Sequence, residues 1–303
     1  MQLPLRGIIT PLATPFLQST QPDPVLDVAA LERLIEHVIA GGVKGIFLLG
    51  TTGEFSSLGR EMRQEIIQRT CTQVNGRVPV LVSLTDPAIS ESFRLADYAV
   101  ESGADALVVA APYYFAHTQA DLSRYLELLT SKLTLPLFLY NIPHLTKNSF
   151  EPETVRRAAD LPGVVGLKDS TGDLKYLDRT LELMKDRPGF SILIGPEEML
   201  VECMSRGAHG GVCGGSNLNP KLFVDLYEAA FAGDTKGAAE LQEKVEAMSK
   251  ALYRVGFPGS SYLRGIKAAL SLAGLCRPEC APPYAPFTEE EYAELAKGYH
   301  SLK

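Results

Sequence analysis

Short apolar runs alternate with longer amphipathic segments from the N-terminus to about residue 230, the pattern of parallel β/α units. The apolar runs cover residues 7–12, 45–49, 78–84, 106–111, 135–140, 164–167, 190–194 and 210–213. Between them Leu31, Leu34, Ile35 and Val38, and later Leu122, Tyr125, Leu126 and Leu129, fall on one face of a helix. Proline and glycine mark the junctions, as in Leu161-Pro162-Gly163 and Arg187-Pro188-Gly189. An open doubly wound sheet would normally carry a glycine-rich dinucleotide fingerprint after its first strand, and none is present. Eight runs therefore predict a closed (β/α)8 TIM barrel. Residues 220–232 read as the eighth helix, and the remainder to Lys303, including 242–253 and 261–273, is helical without further strand signals. The expected organisation is a barrel over residues 1–232 carrying the site and a C-terminal helical extension over 233–303. No linker, low-complexity segment or charge block separates the two.

Composition narrows the function. The 303 residues are 46% hydrophobic, enough for a large core. A net charge of -7, with no cluster of lysine and arginine, leaves no electrostatic footprint for nucleic acid or an anionic membrane. Small-molecule ligands are expected instead. The start, Met1 to Gly7, does not read as a signal peptide, and no apolar stretch reaches the length of a bilayer span, so a cytoplasmic location is expected. Cys71, Cys203, Cys213, Cys276 and Cys280 are odd in number and scattered, which argues against a disulfide framework. Cys276 and Cys280 are the one close pair, but no second pair or histidine completes a zinc site. Nor do the five histidines show HxH or HExxH spacing, so no metal is expected.

In such a barrel the catalytic groups sit at the C-terminal ends of the strands. The sixth run passes from Gly163-Val164-Val165-Gly166-Leu167 straight into Lys168-Asp169-Ser170. A lysine at the mouth of a buried strand lies in surroundings that disfavour a charged amine, and a neutral amine can attack a ketone. The plainer alternative is a lysine that snorkels to water or pairs with Asp169. The second run ends in Gly50-Thr51-Thr52-Gly53-Glu54, where two hydroxyls and backbone N–H groups could hold a carboxylate, or where a threonine could simply cap a helix. The fourth and fifth runs end in Pro112-Tyr113-Tyr114 and Tyr140-Asn141-Ile142-Pro143. A tyrosine closing an apolar strand is usually core with its hydroxyl tied off. Together with Lys168, these hydroxyls would converge on one pocket.

Taken in order, Gly50-Thr51-Thr52-Gly53-Glu54, Pro112-Tyr113-Tyr114, Tyr140-Asn141-Ile142-Pro143, Gly166-Leu167-Lys168-Asp169-Ser170 and Gly210-Gly211-Val212 resemble the dihydrodipicolinate synthase and N-acetylneuraminate lyase family over nearly the whole chain. The resemblance implies a Schiff-base lyase or aldolase acting at C3 of a 2-oxo acid. It implies no cofactor, and usually a homotetramer built from tight dimers. Lys168 would form the imine and Tyr140 would shuttle protons. Thr51 would link Tyr140 to Tyr114, the latter reaching in from the neighbouring subunit. Thr52, with Gly50, would bind the substrate carboxylate, and Val212 and Ser170 would line the site. Dihydrodipicolinate synthases carry an arginine two residues after the proline of the Tyr-Asn-x-Pro motif, whereas this chain has Pro143-His144-Leu145. Leucine cannot bind a second substrate's carboxylate. Glu197-Glu198 lies where neuraminate lyases present acids to a polyhydroxylated tail. Gly211-Val212-Cys213 and Cys276-Arg277-Pro278 look more like the 4-hydroxy-2-oxoglutarate aldolase branch. A 4-hydroxy-tetrahydrodipicolinate synthase, a 2-oxo-3-deoxy sugar acid dehydratase and a non-catalytic 2-oxo acid binding protein are the competing readings.

Overall fold

Each of the eight apolar runs forms a strand: β1 Gly7–Pro11, β2 Gly45–Leu48, β3 Val80–Ser83, β4 Ala106–Ala110, β5 Leu137–Asn141, β6 Val164–Asp169, β7 Ser191–Ile194 and β8 Gly210–Val212. In this computed structural model, which describes residues 1–18 and 23–302, the strands pair in parallel and close into a barrel. The seam is made by β1, which pairs with β8 through Gly7↔Gly210 and with β2 through Ile9↔Gly45. Strands buried on both faces read as continuous apolar runs, and the packing explains why. Ile9, Phe47, Leu81, Val108, Phe138 and Leu193 fill the barrel interior. Ile8, Ile46, Val82, Leu107, Leu139 and Leu167 belong to the outer core, where the strands meet the helices.

The helices follow the strands as α1 Val28–Ala40, α2 Arg60–Val74, α3 Ile89–Glu101, α4 Gln119–Thr130, α5 Pro152–Ala158, α6 Leu174–Met184, α7 Leu200–Arg206 and α8 Pro220–Phe231. Leu31, Leu34, Ile35 and Val38 bury one face of α1, as their spacing predicts. In α4 the buried face is Leu122, Leu126 and Leu129, with Tyr125 only partly covered. A small antiparallel ribbon, Phe16–Leu17 with Val25–Leu26, is too short to leave a period in the sequence. None of the described helices is long and apolar enough to cross a membrane.

Two features shape the site, one a departure from the sequence pattern and one that follows it. Strand β6 continues two residues past its apolar run, because Tyr140↔Lys168, Asn141↔Asp169 and Lys168↔Leu193 extend the pairing with β5 and β7. Lys168 therefore sits on the rigid sheet rather than in the loop after it. The chain beyond α8 forms three helices, α9 Thr235–Leu252, α10 Ser261–Leu272 and α11 Glu289–His300, the last held at its start by a Thr288/Glu291 capping box. Helix α9 packs against α8 and the turn Glu197–Met199, and α10 against the turn Gly214–Asn217. Those turns directly follow β7 and β8, so the extension stands over the same barrel end as the catalytic candidates.

Candidate active site

All eight C-terminal strand ends open on one face of a parallel barrel, and a cavity of about 620 Å³ lies there. Lys168, Tyr140, Thr51, Thr52, Gly50, Val212, Ser170, Glu197 and Glu198 all line it. Of the residues singled out from the sequence, only Tyr114 does not.

Lys168 is 6% exposed and stands beside Tyr140, its register partner. Its Nζ lies 3.9 Å from the centroid of the Tyr140 ring and 4.9 Å from that of Phe47. The two rings meet edge to face at 6.2 Å. Ring faces can hold a cation, but no carboxylate among the described residues forms an ion pair with this amine. The adjacent Asp169 does not serve, because successive strand residues point to opposite faces. Its Oδ1 accepts the Thr171 N–H at 2.8 Å, and burial pushes its carboxyl up to about 6. The pairing of Lys168 with Asp169 considered from the sequence is therefore not formed.

Gly50 to Glu54 leads into a single 3-10 turn, Phe55–Ser57, with Glu54 at its N-cap and no side chain capping it, and α2 begins only at Arg60 after Gly59, so neither threonine caps a helix. The two threonine hydroxyls are thus free for other partners. Thr51 Oγ1 lies 3.3 Å from the Tyr140 hydroxyl, and Thr52 Oγ1 lies 3.0 Å from that of Tyr262. A side chain at Gly50 would have its Cβ 2.6 Å from the Phe47 ring. Glycine there lets the loop close over the aromatic that flanks Lys168.

Glu54 takes a left-handed conformation, φ 60°, and turns its carboxylate into the protein. Lys267 of α10 meets it at 3.0 Å, with both side chains fully buried. Glu54 Oε2 also accepts the Ala281 N–H at 2.7 Å, while Lys267 Nζ donates to the Thr14 carbonyl and lies over the Phe16 ring. Burial raises the Glu54 carboxyl and the Lys267 ammonium pulls it back. The described residues thus include two buried lysines of opposite character, one charge-paired and structural, the other in the cavity without an ion-pair partner. Sequence reasoning passed over Lys267 because it looks like an ordinary member of an amphipathic helix.

The paired acids separate. Glu197 is buried, accepting the Tyr253 hydroxyl on Oε1 at 2.7 Å and the Gly215 N–H on Oε2 at 2.9 Å. Burial pushes its carboxyl up to about 7, against those two donors. Glu198 is exposed and accepts the Ser249 hydroxyl. Where the second-substrate arginine was sought, the short helix Pro143–Thr146 presents Leu145, 52% exposed, and His144. Burial and the Lys147 ammonium hold His144 below its ordinary value, favouring the neutral ring. Tyr114 instead projects from the surface at 85% exposure, φ 88°, edge to face with the exposed Phe115. The residues missed from sequence are Tyr253, Tyr262 and Tyr284, all from the extension and all lining the cavity.

The family model of the dihydrodipicolinate synthetase family matches residues 4–301. The chain belongs to this family. A solved structure of dihydrodipicolinate synthase from Bacteroides thetaiotaomicron is 50% identical, covers 99% of this chain and 100% of its own, and superposes with a TM-score of 0.95. The structure of YagE from Escherichia coli, a prophage protein of the same family in complex with pyruvate, is 32% identical over 99% of each chain, with a TM-score of 0.92. YjhH of Escherichia coli, named a probable 2-dehydro-3-deoxy-D-pentonate aldolase, is 34% identical over 94% of this chain and 93% of its own. The protein is accordingly a class I, lysine-dependent enzyme of the Schiff-base lyase and aldolase type, acting on a 2-oxo acid.

Proposed function

We propose that Lys168 forms the imine, and that the enzyme makes or splits the C3–C4 bond of a 2-oxo acid whose tail is uncharged and polyhydroxylated, with pyruvate as the keto-acid partner. One observation carries the choice of tail: Lys168 is the only lysine or arginine among the described residues lining the cavity, while Glu197 and Glu198 are both in its wall. A tail ending in a carboxylate would enter against those acids with no cation to receive it, at a cost in desolvation and repulsion. Hydroxyl groups suit carboxylate and tyrosine acceptors. YjhH, by its name, and the pyruvate-bound YagE support this reading. The name of the Bacteroides neighbour supports the second one, condensation with a carboxylate-bearing aldehyde as in a 4-hydroxy-tetrahydrodipicolinate synthase. Leu145 and the neutral His144 weigh against it.

In the proposed cycle Lys168 Nζ adds to the C2 carbonyl, and the carbinolamine loses water to give the protonated imine. The imine draws the C3–C4 bonding pair into an enamine as the C4 hydroxyl gives up its proton and the aldehyde leaves. A proton returned to C3 and hydrolysis then release pyruvate. Tyr140 passes these protons, with Thr51 fixing its hydroxyl. Thr52, beside Gly50, takes the substrate carboxylate, and Val212 and Ser170 bound the pocket. The whole chain acts as one unit, barrel and extension together, as a cytoplasmic homotetramer in which Tyr114 of each protomer completes a neighbour's relay. The exposed Tyr114–Phe115 pair supports that assembly. Full turnover by a verified monomer would refute the Tyr114 role.

A panel of 2-oxo acids tests the substrate class. Kcat/KM should be highest for 2-oxo-3-deoxy sugar acids and lowest for aspartate semialdehyde condensation, where loss of a charge-assisted contact costs about 2 kcal/mol, or tens-fold in rate. The opposite order would remove this reading in favour of the synthase. Glu197 adds a pH signature. Its carboxyl ionises near pH 7, and the ionised form is the stronger acceptor for tail hydroxyls. Kcat/KM for a polyhydroxylated substrate, divided by that for a 2-oxo acid with a short apolar tail, should rise as pH passes upward through about 7. Glu197→Gln should flatten the rise. A limb unchanged in the variant would assign the titration elsewhere.

A further inference from the structure

The helical extension reaches Thr52 through one hydroxyl. Tyr262 lies on the first turn of α10, lines the cavity and is the partner of Thr52 at 3.0 Å. Its hydroxyl rests against the backbone just after β8: a Cβ built on Gly214 would stand only 1.8 Å from it. Its ring meets that of Tyr253 edge to face at 5.0 Å, and Tyr253 in turn donates to Glu197. Thr52 is 3% exposed, so its hydroxyl has little water to turn toward. A hydroxyl has one proton and can send it either to the phenol or to a ligand. Burial and the nearby Glu197 charge hold the Tyr262 phenol protonated. The phenol therefore carries a proton that it can donate, and Thr52 Oγ1 at 3.0 Å is an acceptor for it, although on geometry alone either hydroxyl of the pair can be the donor.

We infer that Tyr262 is a positioning residue for the 2-oxo acid carboxylate: by donating to Thr52 Oγ1 it leaves the Thr52 proton free to point at the substrate. The inference rests on the reading of Thr52 as the carboxylate site. It gives the C-terminal extension a direct part in recognising the keto acid, in addition to bracing the barrel. A substitution anywhere along α9 and α10 that tilts Tyr262 would weaken pyruvate binding without touching Lys168.

The test uses pyruvate with borohydride trapping, together with steady-state kinetics. In Tyr262→Phe, which keeps the ring packing, the pyruvate concentration for half-maximal trapping and the KM should both rise about fivefold, the loss typical of one neutral hydrogen bond, with kcat within about twofold. Thr52→Val should raise them at least as much. The double variant should be no worse than Thr52→Val alone, because the phenol acts only through that hydroxyl. Unchanged half-saturation in Tyr262→Phe, a fall in kcat at unchanged KM, or additive effects in the double variant would each overturn the inference. Failure of the parent enzyme to form any adduct would instead remove the Schiff-base reading on which it stands.

Discussion

Lys168→Ala should lose turnover, with kcat reduced by at least about 10⁴-fold, because no other group can supply the electron sink that the imine provides. Lys168→Arg should fail as completely, since a guanidinium is not deprotonated and cannot add to a carbonyl. Neither loss should come from unfolding. Lys168 has no ion-pair partner among the described residues, only the Tyr140 and Phe47 rings, so Lys168→Ala should melt no more than a few degrees from the parent. Activity within tenfold of the parent would mean that the amine does not do the chemistry.

The other buried lysine has the reverse signature. Lys267→Met removes the counter-charge of Glu54, whose carboxyl is fully buried and already raised by desolvation. Breaking such a pair from one side typically costs about 3–5 kcal/mol. Denaturant or thermal unfolding should register that loss directly. Adding Glu54→Gln should recover part of it, because the isolated charge is then gone. Catalysis should suffer as well, since the pair ties α10 to the loop that carries Thr51 and Thr52. A change in stability below about 1 kcal/mol in Lys267→Met would show that Glu54 is not left as a stranded buried charge, and would contradict the account.

The contrast between the two lysines also marks what the sequence can reveal. Lys168 was legible because an apolar run ends on it, and the barrel was legible because strands buried on both faces cannot hide their composition. The threonines of the second strand end and Tyr140 were legible for the same reason, as polar groups closing apolar runs. Lys267, Tyr253 and Tyr262 were not. Lys267 and Tyr262 lie in a helix of unremarkable period and Tyr253 sits just past the end of α9, and their partners are far away in sequence, 213 residues for Lys267 with Glu54 and 210 for Tyr262 with Thr52. Local pattern carries no record of such contacts. Glu197-Glu198 was legible as a pair but not as two environments. The turn Glu197–Met199 sends one side chain under the extension to Tyr253 and leaves the other exposed. Tyr114 was legible as a tyrosine closing an apolar run, but within one chain it stays outside the cavity, and its role across subunits entered only through the family motif.

Reduction of the enzyme with borohydride in the presence of pyruvate, followed by peptide mapping, bears most directly on the Schiff-base account. The cavity around Lys168 predicts irreversible inactivation and a single carboxyethyl-lysine, located at Lys168 and absent from Lys168→Ala. An adduct on another lysine, such as the neighbouring Lys175, or full activity after reduction with no adduct at all, would contradict it.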